Sequence, residues 1–543
     1  MKKLEQEALK ESGTDFTRLG FALFFMIGVL TFSFLSNGGI PNNMFLAIAA
    51  LIGAYMAMNI GANDVANNVG PAVGSKAMTM TMAIVIAAIF EASGALIAGG
   101  EVVGTIKKGI IDIGAFDGNS DPFIWAMMAA LLSAALWLNF ATLMRAPVST
   151  THSIVGGVMG AGIAAAGFSV VSWGTMGKIA ASWVISPVLG GLIAAAFLYS
   201  IKKSIIFKED KVTSAKKWVP VFVAIMSWAF ITYLTLKGFS HIWPKVVDAL
   251  NVLPLVSLEM TKKPPFATAL AFGAIVAIIV YIVVRNKMSS SATQLENSRE
   301  SVNTLFTIPL IFSAALLSFA HGANDVANAV GPLAAINDAI VSGGVSSKAS
   351  IPLWVMGVGA LGIALGLALY GPKLIKTVGS EITELDQLRA FSVAMAASIT
   401  VIIASQLGLP VSSTHIAIGG VFGVGFLREY LHLNDTAHII DEEQIMIADE
   451  RENLNAYNAE LATLEKKDGK TQDDYERIVE LYKLIANEEK LIKSAKKHIK
   501  RTKKIQYVKR DAVKKIIAAW LITVPAAAVL AALLFFMIKG IMV

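Results

Sequence analysis

The chain contains no cysteine. That excludes disulfides, thiolate metal sites and cysteine nucleophiles. Charge is also scarce: Asp, Glu, Lys and Arg make up 16% of the residues, against 55% hydrophobic. A water-soluble domain carries more charge, so the composition points to a chain that crosses a bilayer many times. No HExxH and no Gly-x-Ser-x-Gly motif occurs, which argues against metalloprotease and serine-hydrolase chemistry. The chain reads as a non-enzyme without a cofactor. No A-x-A cleavage pattern follows the apolar run Leu19 to Leu35, so that run reads as a retained helix rather than a signal peptide. The net charge of +7 comes from basic residues clustered beside apolar runs. This is a membrane pattern and gives no reason to expect nucleic acid.

What the chain has in abundance is apolar runs of spanning length, near or above about 17 residues. They lie at 19–36, 44–60, 77–99, 123–144, 175–200, 218–236, 266–284, 304–321, 352–370, 390–409 and 516–538. Two further apolar segments, 147–167 and 410–427, are Gly-rich and open on hydroxyl residues. They either span or re-enter from one side, which is tolerated only where protein or a wet cavity surrounds them. The expected fold is an all-α polytopic membrane protein with 11–13 membrane segments and a charged insert.

The run Gly61-Ala62-Asn63-Asp64-Val65-Ala66-Asn67-Asn68-Val69-Gly70-Pro71 returns at Gly322–Pro332 with one change, Ala329 for Asn68. The run Pro147-Val148-Ser149-Thr150-Thr151-His152 returns as Pro410-Val411-Ser412-Ser413-Thr414-His415. The two Asp are 261 positions apart and the two His 263, so both motifs keep their order and nearly their spacing. A third echo, around Trp183 and Trp520, is offset by 337 because a charged insert lies before Trp520. Segments follow as 1–43, a first repeat at 44–200, linking loops and helices at 201–302, a second repeat at 303–427, the insert at 428–514 and a final helix at 515–543.

Charge orients the repeats. Six lysines in 201–217 follow the Trp183 helix, whereas eleven Lys/Arg and one acid in 493–515 precede the Trp520 helix. If basic ends are cytoplasmic, the two helices run in opposite directions and the repeats have inverted topology with broken or re-entrant helices. Lys107 and Lys108 fall outside by this count. The N-terminus and the insert are expected in the cytoplasm of a cell with this chain in its inner membrane. Within the insert, Leu454, Leu461 and Leu464, then Asp468-Gly469-Lys470, then Ile478, Leu481, Leu484, Leu491 and Ala495 read as a coiled-coil-like hairpin. It reads as a solvated appendage, with regulation or a homodimer as the other reading.

Ser and Thr after Pro at a helix start present free N–H groups, hydroxyls and the positive end of a dipole, which suits an anion. They also suit helix capping. A carboxylate at membrane depth repels an anion unless it holds a cation or a proton. Asn63, Asn67, Asn324 and Asn328 offer carbonyl oxygens for such a cation. Unwound backbone at the motif glycines would add more. Cation and anion then help each other bind. Two carboxylates near the anion favour phosphate, which carries a proton at neutral pH, over sulfate.

Both GANDVAN-x-VGP motifs, both PVS-[ST]-TH motifs, Ser318-Phe319-Ala320-His321 and Ile89-Phe90-Glu91-Ala92-Ser93-Gly94 closely resemble the inorganic phosphate transporter family. The resemblance covers 44–200, 303–427 and 515–538. It implies a secondary phosphate symporter with inverted repeats, driven by sodium in many members and by protons in others; a few relatives carry sulfate. The implied phosphate contacts are Asp64, Asp325, Ser149, Thr150, Thr151, Ser412, Ser413 and Thr414. The implied sodium ligands are Asn63, Asp64, Asn67, Asn324, Asp325 and Asn328. Glu91, His152, His321 and His415 are coupling candidates. In some eukaryotic relatives the second-half counterpart of Glu91 aligns near Ala394. The competing expectations are a proton-coupled phosphate, metal-phosphate or sulfate symporter of the same fold, and an anion channel.

Overall fold

The computed structural model describes residues 2–40, 42–116, 119–144, 146, 148–240, 242–252, 260–291, 295–341, 351–381, 385–502 and 507–542. Arg145, Pro147, Lys503 and Lys504 lie outside the described residues, as do the side chains of Lys107 and Lys108. Among the described residues the chain is helical, with no strand beyond a single bridge between Ile111 and Val171. It divides into a large unit, residues 1–424 with 510–543, and a smaller one, Gly425–Lys509.

The first part of the chain forms α1 (Lys2–Ser36), α2 (Asn43–Asn63), α3 (Val65–Gly74), α4 (Met80–Ala98), α5 (Gly100–Lys108), α6 (Asp121–Leu143), α7 (Thr150–Ala166) and α8 (Trp173–Ile201). Linking helices follow as α9 (Lys211–Tyr233), α10 (Trp243–Asn251), α11 (Phe266–Ser291) and α12 (Arg299–Leu305). The last part forms α13 (Thr307–Val341), α14 (Leu353–Glu381), α15 (Gln387–Gln406), α16 (Ser413–Glu465), α17 (Gln472–Thr502) and α18 (Arg510–Met542). Among the described residues twelve helical spans, α2 and α3 together forming one, are long and apolar enough to cross a membrane, within the expected 11–13. The seventeen-residue α7 is not one of them. At 1.5 Å per residue it reaches only about 25 Å, short of a roughly 30 Å hydrocarbon core.

The duplicated motifs fold less brokenly than expected. Asp64 interrupts α2 and α3 by one residue, and its N–H still bonds the Ile60 carbonyl at 2.9 Å. The second copy lies inside the uninterrupted α13. The motif glycines therefore offer no unwound carbonyls. They serve close packing instead: a Cβ on Gly61 would overlap the Ile363 carbonyl, and one on Gly322 the Glu91 carbonyl.

Those contacts reveal an internal correspondence. α2 meets α14 as α13 meets α4. Gly366 lies on the Met58 carbonyl as Gly94 lies on the Phe319 carbonyl. The glycine pairs at the helix tips are exchanged between repeats: Gly156 and Gly160 lie on Val524 and Ala528 of α18, Gly419 and Gly423 on Pro187 and Gly191 of α8. Each tip helix thus packs on the Trp helix of the other repeat, which ties the two sequence halves into one core.

The smaller unit is the expected hairpin. Gly469, at φ 74°, turns the chain between α16 and α17. Its seam buries Ile447, Leu461, Leu481, Ile492 and Ala495, while Leu491 is 40% exposed. Leu461, Leu481 and Ala495 are expected seam residues, and of the expected set Leu491 is the one turned outward. The heptad runs 481, 485, 488, 492 and 495, and one of its core positions holds Glu488, which breaks the apolar pattern. Glu488 shares a hydrogen bond with Glu450, which raises its pKa above the usual carboxylate range.

Candidate functional site

The two Asp motifs and the two hydroxyl motifs converge on one buried cluster. Asp64, Asp325 and the five motif Asn are at most 1% exposed. Ligand atoms of Asp64, Asp325 and His321 lie within 4.8 Å of one another. At membrane depth, such a grouping needs hydrogen bonds or counter-charges, and each carboxylate has them.

Asp64 is held by hydroxyls from both repeats. Thr150 donates to its Oδ2 at 2.6 Å and Thr414 to its Oδ1 at 2.9 Å. Asn67 donates to Thr414 at 2.8 Å, and Asn328 donates to Thr150 and Thr151 at 3.0 and 3.1 Å. Thr151 in turn donates to the Val411 carbonyl at 3.0 Å. Asp325 receives Ser413 Oγ on Oδ2 at 3.0 Å. Asn63 and Asn324 tie each motif to the helix behind it: Asn63 donates to Thr142 at 2.9 Å, Asn324 to Ser405 at 3.0 Å.

These bonds change the expected roles of the hydroxyls. Ser149 and Ser412 are N-caps: each Oγ accepts the N–H of the following His, His152 at 3.0 Å and His415 at 3.2 Å. Thr150, Thr414 and Ser413 spend their protons on carboxylates rather than facing an anion. Buried atoms left without a partner include Asn67 Oδ1, Asn324 Oδ1 and Asp325 Oδ1. All three are acceptors, the hard oxygen set suited to an alkali cation. Orphaned buried acceptors are rare without such a reason.

The cluster is not symmetric. Glu91 Oε2 lies 2.7 Å from His321 Nδ1, and His321 Nε2 lies 3.0 Å from Asp325 Oδ2. Asn68 donates to Glu91 Oε1 at 2.8 Å. A polar chain of Asn68, Glu91 and His321 therefore backs Asp325. The glycine contacts identify its counterpart on the other side. Gly61 on Ile363 matches Gly322 on Glu91, so Ile363 corresponds to Glu91; one residue before each glycine, Ile60 corresponds to His321. Ala329 corresponds to Asn68. Behind Asp64 the same wall is thus Ala, Ile and Ile, with Ile60 and Ile363 fully buried. This corrects the placement of the counterpart near Ala394, a buried residue of α15. Helix α15 carries Ser405 behind Asn324, so it corresponds to α6 with Thr142, not to α4.

His152 and His415 stand apart from the carboxylates. Their rings meet edge to face, with centroids 4.4 Å apart; Trp183 lies 3.8 Å from His152, and Trp520 stacks on His415 at 3.7 Å. The two tryptophans are packing residues of this cluster. Sequence reasoning missed Asn68, Thr142 and Ser405. The mismatch of Asn68 with Ala329 was a readable signal for the first; the other two sit on helices without repeated motifs.

A family model described as the phosphate transporter family matches residues 60–531. Two Helicobacter pylori proteins, each given the name of a phosphate permease, are 50% identical over 534 residues, 98% of this chain and 96% of theirs. A Thermococcus kodakarensis protein of like name is 38% identical over 392 residues, 72% of this chain and 90% of its own. A solved structure described as "The sodium-dependent phosphate transporter" matches with a TM-score of 0.69 and 29% identity, covering 92% of this chain and 99% of that one.

Proposed function

The chain belongs to the phosphate transporter family, a multi-pass membrane transporter rather than an enzyme, and from that premise we propose that it imports inorganic phosphate together with sodium across the cell inner membrane. The observation that carries the proposal is the buried meeting of Asp64 and Asp325 with unpartnered oxygens of Asn67, Asn324 and Asp325 around them. Sodium binds among these oxygens and offsets the carboxylate charge. The hydroxyls of Thr150, Thr151, Ser413 and Thr414 are then released toward phosphate, with the N-termini of α7 and α16 supplying dipoles. Ser149 and Ser412 set the ends of those helices. Ligand exchange between the two sides of the membrane runs by alternating access of two inverted repeats. The matching glycine contacts of the two repeats, Gly61 on Ile363 and Gly322 on Glu91, support this reading. The N-terminus and the hairpin face the cytoplasm.

A proton-coupled version has one observation in its favour. His321 bridges two carboxylates, Glu91 and Asp325, and such a group can pass protons. Asp64→Asn and Asp325→Asn, each inserted and folded, are expected to lose phosphate uptake. Normal uptake in either variant would remove that carboxylate from the cation site.

A further inference from the structure

The two repeats supply the central cluster with matching groups, and most of these bond alike. Thr150 and Ser413 stand at the same position of the two hydroxyl motifs. Each donates to Oδ2 of its own repeat's Asp, at 2.6 and 3.0 Å. Asn63 donates to the Thr142 hydroxyl at 2.9 Å and the Ala146 carbonyl at 3.3 Å. Asn324 does the same with Ser405 at 3.0 Å and Leu409 at 3.3 Å.

Thr151 and Thr414 break the match. Thr414 crosses to the other repeat and donates to Asp64 Oδ1 at 2.9 Å. Its counterpart Thr151 does not cross to Asp325 Oδ1; it donates to the Val411 carbonyl at 3.0 Å. Val411 differs from its own counterpart as well. The Val148 N–H donates to Asn63 Oδ1 at 3.3 Å, whereas Asn324 Oδ1 receives no such bond. Two oxygens are thereby left buried without a partner among the described residues, Asp325 Oδ1 and Asn324 Oδ1. The corresponding oxygens of the first repeat, Asp64 Oδ1 and Asn63 Oδ1, are both taken.

Unpaired buried acceptors are costly, and two of them on consecutive residues, one a carboxylate oxygen, suit a positive ion. Asp64 is not prepared in this way, because a cation there must first displace two hydroxyl donors. Each hydrogen bond to a charged group is worth at least about ten-fold in affinity, so the two together hold a cation off by about 100-fold. Asn67 Oδ1 is unpartnered in the Asp64 half, but an amide oxygen without a free carboxylate oxygen offers a cation no full charge. We propose that the two halves take sodium in a fixed order. The first ion binds at Asp325 and Asn324 before phosphate. The second enters at Asp64 only together with phosphate, whose oxygens take over the hydroxyls of Thr150 and Thr414. Thr151 is the positioning residue: by holding Val411 it keeps both oxygens of the Asp325 half free for the cation. The order presupposes sodium as the coupling ion and adds which carboxylate it meets first.

The test is binding of labelled sodium to the purified full-length protein, with and without phosphate. The unaltered protein is expected to bind one sodium ion without phosphate and a second once phosphate is added. Asp325→Asn should abolish the phosphate-independent ion. Thr151→Val should weaken it at least about ten-fold, and Thr151→Ser, which restores the hydroxyl, should recover the affinity. Thr414→Val should do the opposite and let a second ion bind without phosphate, because it frees Asp64 Oδ1. Two equivalent ions bound without phosphate, or Thr151→Val and Thr414→Val moving sodium binding in the same direction, would overturn the order alone. No sodium bound with or without phosphate would reject sodium coupling and the order with it.

Discussion

Glu91 and His321 invite a test for which the protein contains its own control. On the other side of the pseudo-symmetric core the same positions are Ile363 and Ile60, and Asn68 is Ala329. Glu91 and His321 are fully buried and 2.7 Å apart. Removing one partner strands the other in a low dielectric, at a cost of about 3–5 kcal/mol. Removing the whole chain and filling the space with apolar groups is close to neutral in comparable cases. Glu91→Ile and His321→Ile should therefore each lower the melting temperature in detergent strongly. The triple variant Asn68→Ala/Glu91→Ile/His321→Ile should recover most of the loss, with a coupling of at least about 2 kcal/mol. Transport should not recover, because Asp325 has lost the imidazole 3.0 Å from its Oδ2. A triple variant no more stable than the weaker single variant would refute the reasoning.

Thr414→Val removes the donor to Asp64 Oδ1 and the acceptor for Asn67. Once sodium holds Asp64 that hydroxyl turns to phosphate, and losing a hydrogen bond to a charged group costs about 1.5–3 kcal/mol, so the phosphate concentration giving half-maximal uptake should rise at least about ten-fold. Gly366→Ala would drive a Cβ into the Met58 carbonyl and part α14 from α2, and size-exclusion profiles should show loss of monodisperse protein; Gly100→Ala, with nothing within 4 Å, should behave as the parent. In the hairpin, Glu450 raises the pKa of Glu488. A carboxyl raised in the folded state binds its proton more tightly than in the unfolded chain, so it stabilises at low pH and that benefit is lost as pH rises through its folded pKa. Hydrogen exchange of the hairpin amides should accordingly quicken from pH 4 to pH 7 beyond the intrinsic rate, and Glu488→Leu should slow it at pH 7 and flatten the trend.

The central site was legible because it is written twice. Near-identical eleven-residue runs, each with an acid, announce the duplication and the pair of acids that meet, and the Ser/Thr runs mark the helix tips that meet them. The direction of the hydroxyl protons was not legible. Only the folded geometry shows that Thr150, Thr414 and Ser413 donate to carboxylates. The counterpart of Glu91 was misplaced for a related reason: replacement of an acid by Ile363 erases the resemblance, and only backbone contacts across distant helices restore it. In the hairpin, the Gly469 turn was plain from sequence, but a carboxylate at a seam position hid the heptad there and drew Leu491 into the expected seam in its place. The motif glycines read as sites of unwinding because Gly tolerates it; here the missing Cβ matters more than backbone freedom, since it admits a neighbouring helix to contact distance.

The central claim is that cations among the Asp64 and Asp325 oxygens make phosphate binding affordable inside the membrane. Its most direct test is uptake of labelled phosphate by proteoliposomes holding the purified protein, with an inward sodium gradient, with potassium in its place, and with a protonophore present. Uptake that follows the sodium gradient and persists with the protonophore is the predicted result. Uptake that ignores sodium and collapses with the protonophore would contradict it.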